Sequence, residues 1–186
     1  MGRKKGRDKM KLTSEECERS AVLHAAELMC AAARTAPKTK GTDHIEACVL
    51  TGEEKDALAD KMEELAGPLN KPFFVRDAGN VRQSLAVVLI GTRLGVHGLN
   101  EACRYCGFTN CAACTEAGSL CAYDNIDLGI AVGSAVSVAA DHRIDSRVMF
   151  SVGRTALELG ILGEKAHNIL GIPLSVSGKS PFFDRK

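Results

Sequence analysis

Five of the chain's eight cysteines fall between Cys103 and Cys121, in the stretch C-R-Y-C-G-F-T-N-C-A-A-C-T-E-A-G-S-L-C. Thiols this dense have to be committed, to disulfides or to metal, and that choice constrains any fold built around them. The start, Met1-Gly-Arg-Lys-Lys, is basic and lacks the apolar run of a secretory segment. The expectation is a cytoplasmic chain, whose thiols are kept reduced and whose clustered cysteines bind metal. An odd number in the cluster also leaves a closed disulfide set incomplete.

Spacing narrows the choice of metal. The pairs Cys103/Cys106 and Cys111/Cys114 are only four residues apart, whereas a zinc ribbon separates its knuckles by roughly 15–20 residues. The bacterial ferredoxin run C-x2-C-x2-C-x3-C-P is not matched either. Read as Cys103-x2-Cys106-x4-Cys111 with Cys121 closing, the stretch gives three ligands from one tight loop and a fourth soon after. That arrangement suits a 4Fe-4S cluster, whose four irons lie close together. Gly107 allows the backbone to turn sharply beside the second ligand. Two other readings remain open. Cys106-x4-Cys111-x2-Cys114 has the local spacing of a plant-type 2Fe-2S loop, which makes Cys114 the alternative ligand, and zinc would make the loop a structural staple.

The motif Cys103-x-x-Cys106-Gly107-Phe108-x-x-Cys111, closed by Cys121, resembles the four-cysteine 4Fe-4S domain of corrinoid iron–sulfur proteins and some membrane electron-transfer complexes. In that pattern the place of Cys114 is commonly apolar, which the resemblance implies is a spare thiol here. Over nearly the whole chain after residue 13, the sequence resembles an uncharacterised family described as containing a ferredoxin domain. The segments that carry this are Ala32–Gly41, Phe74–Asn80, Asp127–Ala135 and Gly171–Ser175 with Pro181–Arg185.

The rest of the chain reads as one α+β domain over 13–186, preceded by a disordered basic tail at 1–12. Its 186 residues and 45% hydrophobic content are enough for one buried core. A net charge of +1 gives no electrostatic case for nucleic acid, and no apolar run reaches the ~18 residues of a membrane span. Thr13-x-x-Glu16 announces a helix by a capping box, with Cys17, Ala21, Ala25, Leu28, Met29 and Ala32 on its apolar face. Cys17, Cys30 and Cys48 are expected to be buried. Ile45–Leu50 reads as a strand, and Thr51-x-x-Glu54 as a second capping box opening a helix through Leu65. The unbroken apolar run Leu85–Ile90 predicts a strand covered on both faces. Leu128–Ala140 carries no charge, and Gly129, Gly133 and Ser137 recur every four residues. This predicts a helix capped by Asp124 or Asn125, either central or at a dimer seam. A helical stretch near Arg154–Leu162 and a strand near Ile169–Ser175 complete the chain. The five histidines are scattered, with no partners at ligand spacing.

The order of helix, Ala36-Pro37 loop, strand, helix, strand, small-residue helix and final Gly-Ile-Pro segment resembles a flavin-dependent nitroreductase. The resemblance implies a nitroreductase-like frame with an inserted cysteine-rich loop, an intertwined homodimer, and FMN as a second cofactor. Arg34, Lys38 and Lys40 then become the candidate contacts to the flavin phosphate, although Lys38 stands where the family has serine. Two functions are carried forward. One is an iron–sulfur oxidoreductase passing electrons to a flavin or small substrate. The other is a non-enzymatic module, either a metal-stapled structure or an electron carrier for a partner protein.

Overall fold

The structure, a computed structural model, describes residues 11–183, so the basic stretch expected at 1–12 lies almost wholly outside the described residues. The chain runs α1 (Ser14–Thr35), β1 (Ile45–Leu50), α2 (Gly52–Ala66), α3 (Phe73–Gln83), β2 (Ala86–Arg93), α4 (Cys111–Glu116), α5 (Ala122–Asp141), β3 (Asp145–Ser146), α6 (Phe150–Glu158) and β4 (Ala166–Ser175). The strands form one antiparallel sheet in the order β1-β2-β4-β3.

The apolar run at 85–90 explains the layering. Every β2 residue but Arg93 is buried, because helices cover both faces of the sheet. Ala86, Val88 and Ile90 pack with α1 and α5, while Val87 and Leu89 pack with α2, α3 and α6. Alternation along one strand thus feeds two separate cores. On the second face the close approach of α6 to β4 depends on Gly153, where an added Cβ would collide with the Ile169 carbonyl.

The first helix begins where its capping box predicts. Thr13 Oγ1 accepts the Glu16 N–H at 3.3 Å, and Glu16 Oε2 accepts the Thr13 N–H at 2.9 Å. Its buried stripe is Val22, Ala25, Ala26, Met29 and Ala33, offset from the expected face, so Ala21 and Cys17 are exposed. Cys17 sits in the second turn, beyond the part of α1 that reaches the core. Cys30 and Cys48 are half-buried, and burial raises both thiols, Cys48 to about 11 with Cys30 adding to the shift. The second box does not form, since the Thr51 side chain makes no cap bond at α2. Helix α3 carries its own apolar stripe of Phe74, Ala78 and Val81 and was not read from the sequence.

Helix α5 starts earlier than its uncharged run suggests. Cys121 is the N-cap, in extended backbone at ψ 134°, so Asp124 and Asp127 lie inside the helix rather than at its cap. Leu128, Ala131, Ala135 and Ala139 face the core against α1 and the sheet, whereas Gly129, Ile130, Gly133 and Ser137 face outward. No helix among the described residues is long and apolar enough to cross a membrane.

Candidate metal centre

The segment between β2 and α5 folds back on itself so that all five cysteines line one recess. Two local devices produce this. Arg104 and Gly107 both adopt positive φ, 55° and 84°, and a Gly107 N–H to Arg104 C=O bond of 3.0 Å closes the turn carrying Cys103 and Cys106. Asn110 Oδ1 then caps α4 by accepting the Ala113 N–H at 3.0 Å, which sets Cys111 at the start of the helix and Cys114 one turn on. The sequence reading expected a tight loop here and missed this short helix. Leu99, Phe108 and Tyr123 supply apolar wall, and Tyr105 stacks on Tyr123 at 5.6 Å between ring centroids.

The five sulfurs are not equivalent. All are free thiols. The backbone donates to two of them, the Asn100 N–H to Cys111 Sγ at 3.3 Å and the Tyr105 N–H to Cys103 Sγ at 3.5 Å, and the N–H groups of Tyr123, Asp124 and His97 lie near Cys121. Burial still pushes the Cys121 thiol up, with those N–H groups pulling the other way. Cys114 is the buried member that acts as a donor, its Sγ facing the Ser119 carbonyl at 3.5 Å. Burial first, then a bond to Cys106 and the neighbouring cysteines, push its thiol up to about 11. Amide N–H groups aimed at sulfur stabilise charge on it, as in iron–sulfur sites. The Asn100 and Tyr105 N–H groups thus suit thiolates at Cys111 and Cys103, whereas the raised Cys114 thiol resists ionisation.

The loop cations are placed differently. Arg34 Nη1 pairs with Asp43 Oδ2 at 2.6 Å, and Lys38 Nζ donates to the Ala33 and Arg34 carbonyls, both at 2.6 Å, closing the end of α1. Burial lowers the Lys38 pKa. Lys40 is exposed, at φ 55°. Arg34 and Lys38 are thus held by the chain's own acceptors.

A group the sequence reading missed lies against the same recess. His44 Nδ1 is 2.7 Å and His97 Nε2 3.0 Å from Asp124 Oδ1, with Asp127 Oδ2 at 3.7 Å from His97 Nε2. The two imidazoles come from loops at the same end of the antiparallel β1–β2 pair, far apart in sequence. Only Asp124-x-x-Asp127, one helical turn apart, was there to be noticed.

The frame around this recess is shared by nitroreductases and an NADPH:FMN oxidoreductase of known structure. A nitroreductase with bound FMN from Desulfitobacterium hafniense superposes with TM-score 0.56 at 16% identity, covering 92% of this chain and 82% of that one. NADPH:FMN oxidoreductase from Vibrio harveyi, solved with NAD+, gives 0.52 at 11% identity, over 92% of this chain and 63% of that one. Nitroreductase A from Vibrio parahaemolyticus gives 0.52 at 11%, over 88% and 61%. The fold is therefore nitroreductase-like. An uncharacterized protein of Archaeoglobus fulgidus is 44% identical over 184 residues, 95% of this chain and 98% of that protein. The chain belongs to the family described as "uncharacterized protein containing a ferredoxin domain", whose profile matches residues 117–185, the stretch from just before Cys121 through α5 to the carboxyl end.

Proposed function

We propose that the protein is an iron–sulfur redox protein that holds a 4Fe-4S cluster on Cys103, Cys106, Cys111 and Cys121 and exchanges single electrons with a flavin or small substrate on its nitroreductase-like frame. The observation that carries this reading is that the loop thiols and Cys121 line one recess, with backbone N–H groups donating to Cys103 and Cys111. The ferredoxin-domain description of the family supports it.

A cluster held there supplies one-electron transfer at a potential set by burial and hydrogen bonds to sulfur. The chain's own part is to fix that environment. Cys121 at the α5 N-cap ties the recess to the core, and the nearby backbone of Tyr123, Asp124 and His97 works against the rise of its thiol pKa. Phe108 and Tyr123 add apolar surface to the lining of the recess. The flavin part of the proposal draws on the D. hafniense nitroreductase, which binds FMN on this fold. For Arg34 and Lys38 to grip its phosphate, they must exchange Asp43 and the α1 carbonyls for the ligand, which leaves Lys40 as the contact that needs no exchange.

Serine substitutions test the ligand set. Cys103→Ser, Cys106→Ser, Cys111→Ser and Cys121→Ser should each lose most of their iron and sulfide when purified without oxygen, while Cys114→Ser keeps both. Loss at Cys114 with retention at Cys103 would move the assignment to the 2Fe-2S set. Zinc in place of iron in the unsubstituted protein would leave a structural staple.

A further inference from the structure

Beyond that reading, we propose that His44, His97 and Asp124 form a second, mononuclear site for a divalent transition-metal ion of the Zn2+ or Fe2+ type, sharing a wall with the cysteine recess.

The hydrogen bonds of His97 fix its tautomer. Its Nδ1 lies 3.0 Å from the Thr39 carbonyl, and a carbonyl only accepts, so Nδ1 carries the proton. A neutral His97 then turns its Nε2 lone pair to Asp124 Oδ1 at 3.0 Å, whereas a doubly protonated one donates to that oxygen. A cation held between Nε2 and Oδ1 takes the place of that second proton. Meanwhile His44 Nδ1 reaches the same oxygen at 2.7 Å. These three ligand atoms all lie within 4.8 Å of one another. An imidazole that donates its far N–H to a backbone carbonyl while its near nitrogen meets a carboxylate is the arrangement that orients histidine toward a metal.

Charge and satisfaction point the same way. Asp124 is 1% exposed, and its second oxygen, Oδ2, is buried without a hydrogen-bond partner. A buried carboxylate with an orphaned oxygen is costly unless a cation meets it. Asp127, 4% exposed, adds a second buried carboxylate nearby. Two imidazoles and a carboxylate suit zinc or iron, whereas calcium and magnesium prefer all-oxygen shells. Gly95 makes room for the site, because a Cβ there would collide with the His44 ring. Asp127 is a positioning residue. It accepts from Thr39 N and Oγ1 at 3.0 and 2.9 Å, which steadies the carbonyl that orients His97.

The test uses the full chain purified without oxygen and equilibrated with Zn2+ against a competing chelator, with zinc, iron and acid-labile sulfide counted together. The expected result is one zinc per chain in addition to the iron and sulfide. At the zinc K-edge it should show nitrogen and oxygen neighbours at about 2.0–2.1 Å and no sulfur at about 2.3 Å. If the site takes iron instead, one iron per chain should exceed the sulfide count. His44→Ala should weaken the extra metal at least about tenfold with sulfide unchanged, and Gly95→Ala, which displaces His44 without removing a ligand, should weaken it too. Sulfur at the zinc edge, no extra metal, or an undiminished extra metal in His44→Ala would overturn the proposal. Because sulfide reports the cluster separately, extra metal with nitrogen and oxygen neighbours in a sulfide-free protein would uphold this site while the cluster reading fell.

Discussion

Asp127 on α5 takes both polar hydrogens of Thr39: its Oδ2 accepts the backbone N–H at 3.0 Å and its Oδ1 the hydroxyl at 2.9 Å. One buried carboxylate thereby fastens the loop after α1 to the helix that leaves the cysteine recess. Asp127→Ala strands those donors and should destabilise the protein by about 1–3 kcal/mol. Asp127→Asn, which keeps one acceptor, should cost less. Urea denaturation followed by far-ultraviolet circular dichroism separates the two, and equal stability of Asp127→Ala and the unsubstituted chain would show that this tie is not what anchors the loop.

Thiol reactivity should divide the three cysteines outside the recess by burial. Alkylation requires the thiolate. A pKa raised to about 11 at Cys48 shifts its reactivity upward in pH, since little thiolate forms until the solution approaches that value. Cys17 is exposed. Brief iodoacetamide labelling near neutral pH, read by mass spectrometry, should therefore find Cys17 modified well ahead of Cys48. Raising the pH should bring Cys48 in, and equal labelling near neutrality would contradict the packing of β1.

The outward face of α5 should be a seam between two copies. Ile126 and Ile130 are 43% and 40% exposed, with Phe150 of α6 at 61%, and Gly129 and Gly133 on the same face have nothing within 4 Å of an added Cβ. Apolar surface this close-set is costly in water. The expected species in light scattering is a dimer that Ile130→Glu converts to monomer with its iron retained. A monomeric unsubstituted protein would remove the homodimer from the account.

Much of this was legible because it depends on local chemistry. The Thr13 capping box, β1 at Ile45–Leu50 and the doubly covered β2 follow from short patterns, and the structure repeats them. The nitroreductase-like frame was legible from the order of elements, and nitroreductases of known structure share it. What escaped was set by tertiary contact. Thr51 has the same x-x-Glu spacing as Thr13, yet its side chain makes no cap bond. Cys121, not Asp124, begins α5, because the chain enters the helix directly from the recess. His44 and His97 lie on different loops and meet only once β1 and β2 pair, so no spacing rule could join them to Asp124.

The central claim is tested most directly by an absorption spectrum with iron, sulfide and zinc analysis on the full chain purified without oxygen. The account predicts a broad visible band with about four sulfides and at least about four irons per chain. A colourless protein whose cysteines hold zinc would contradict it.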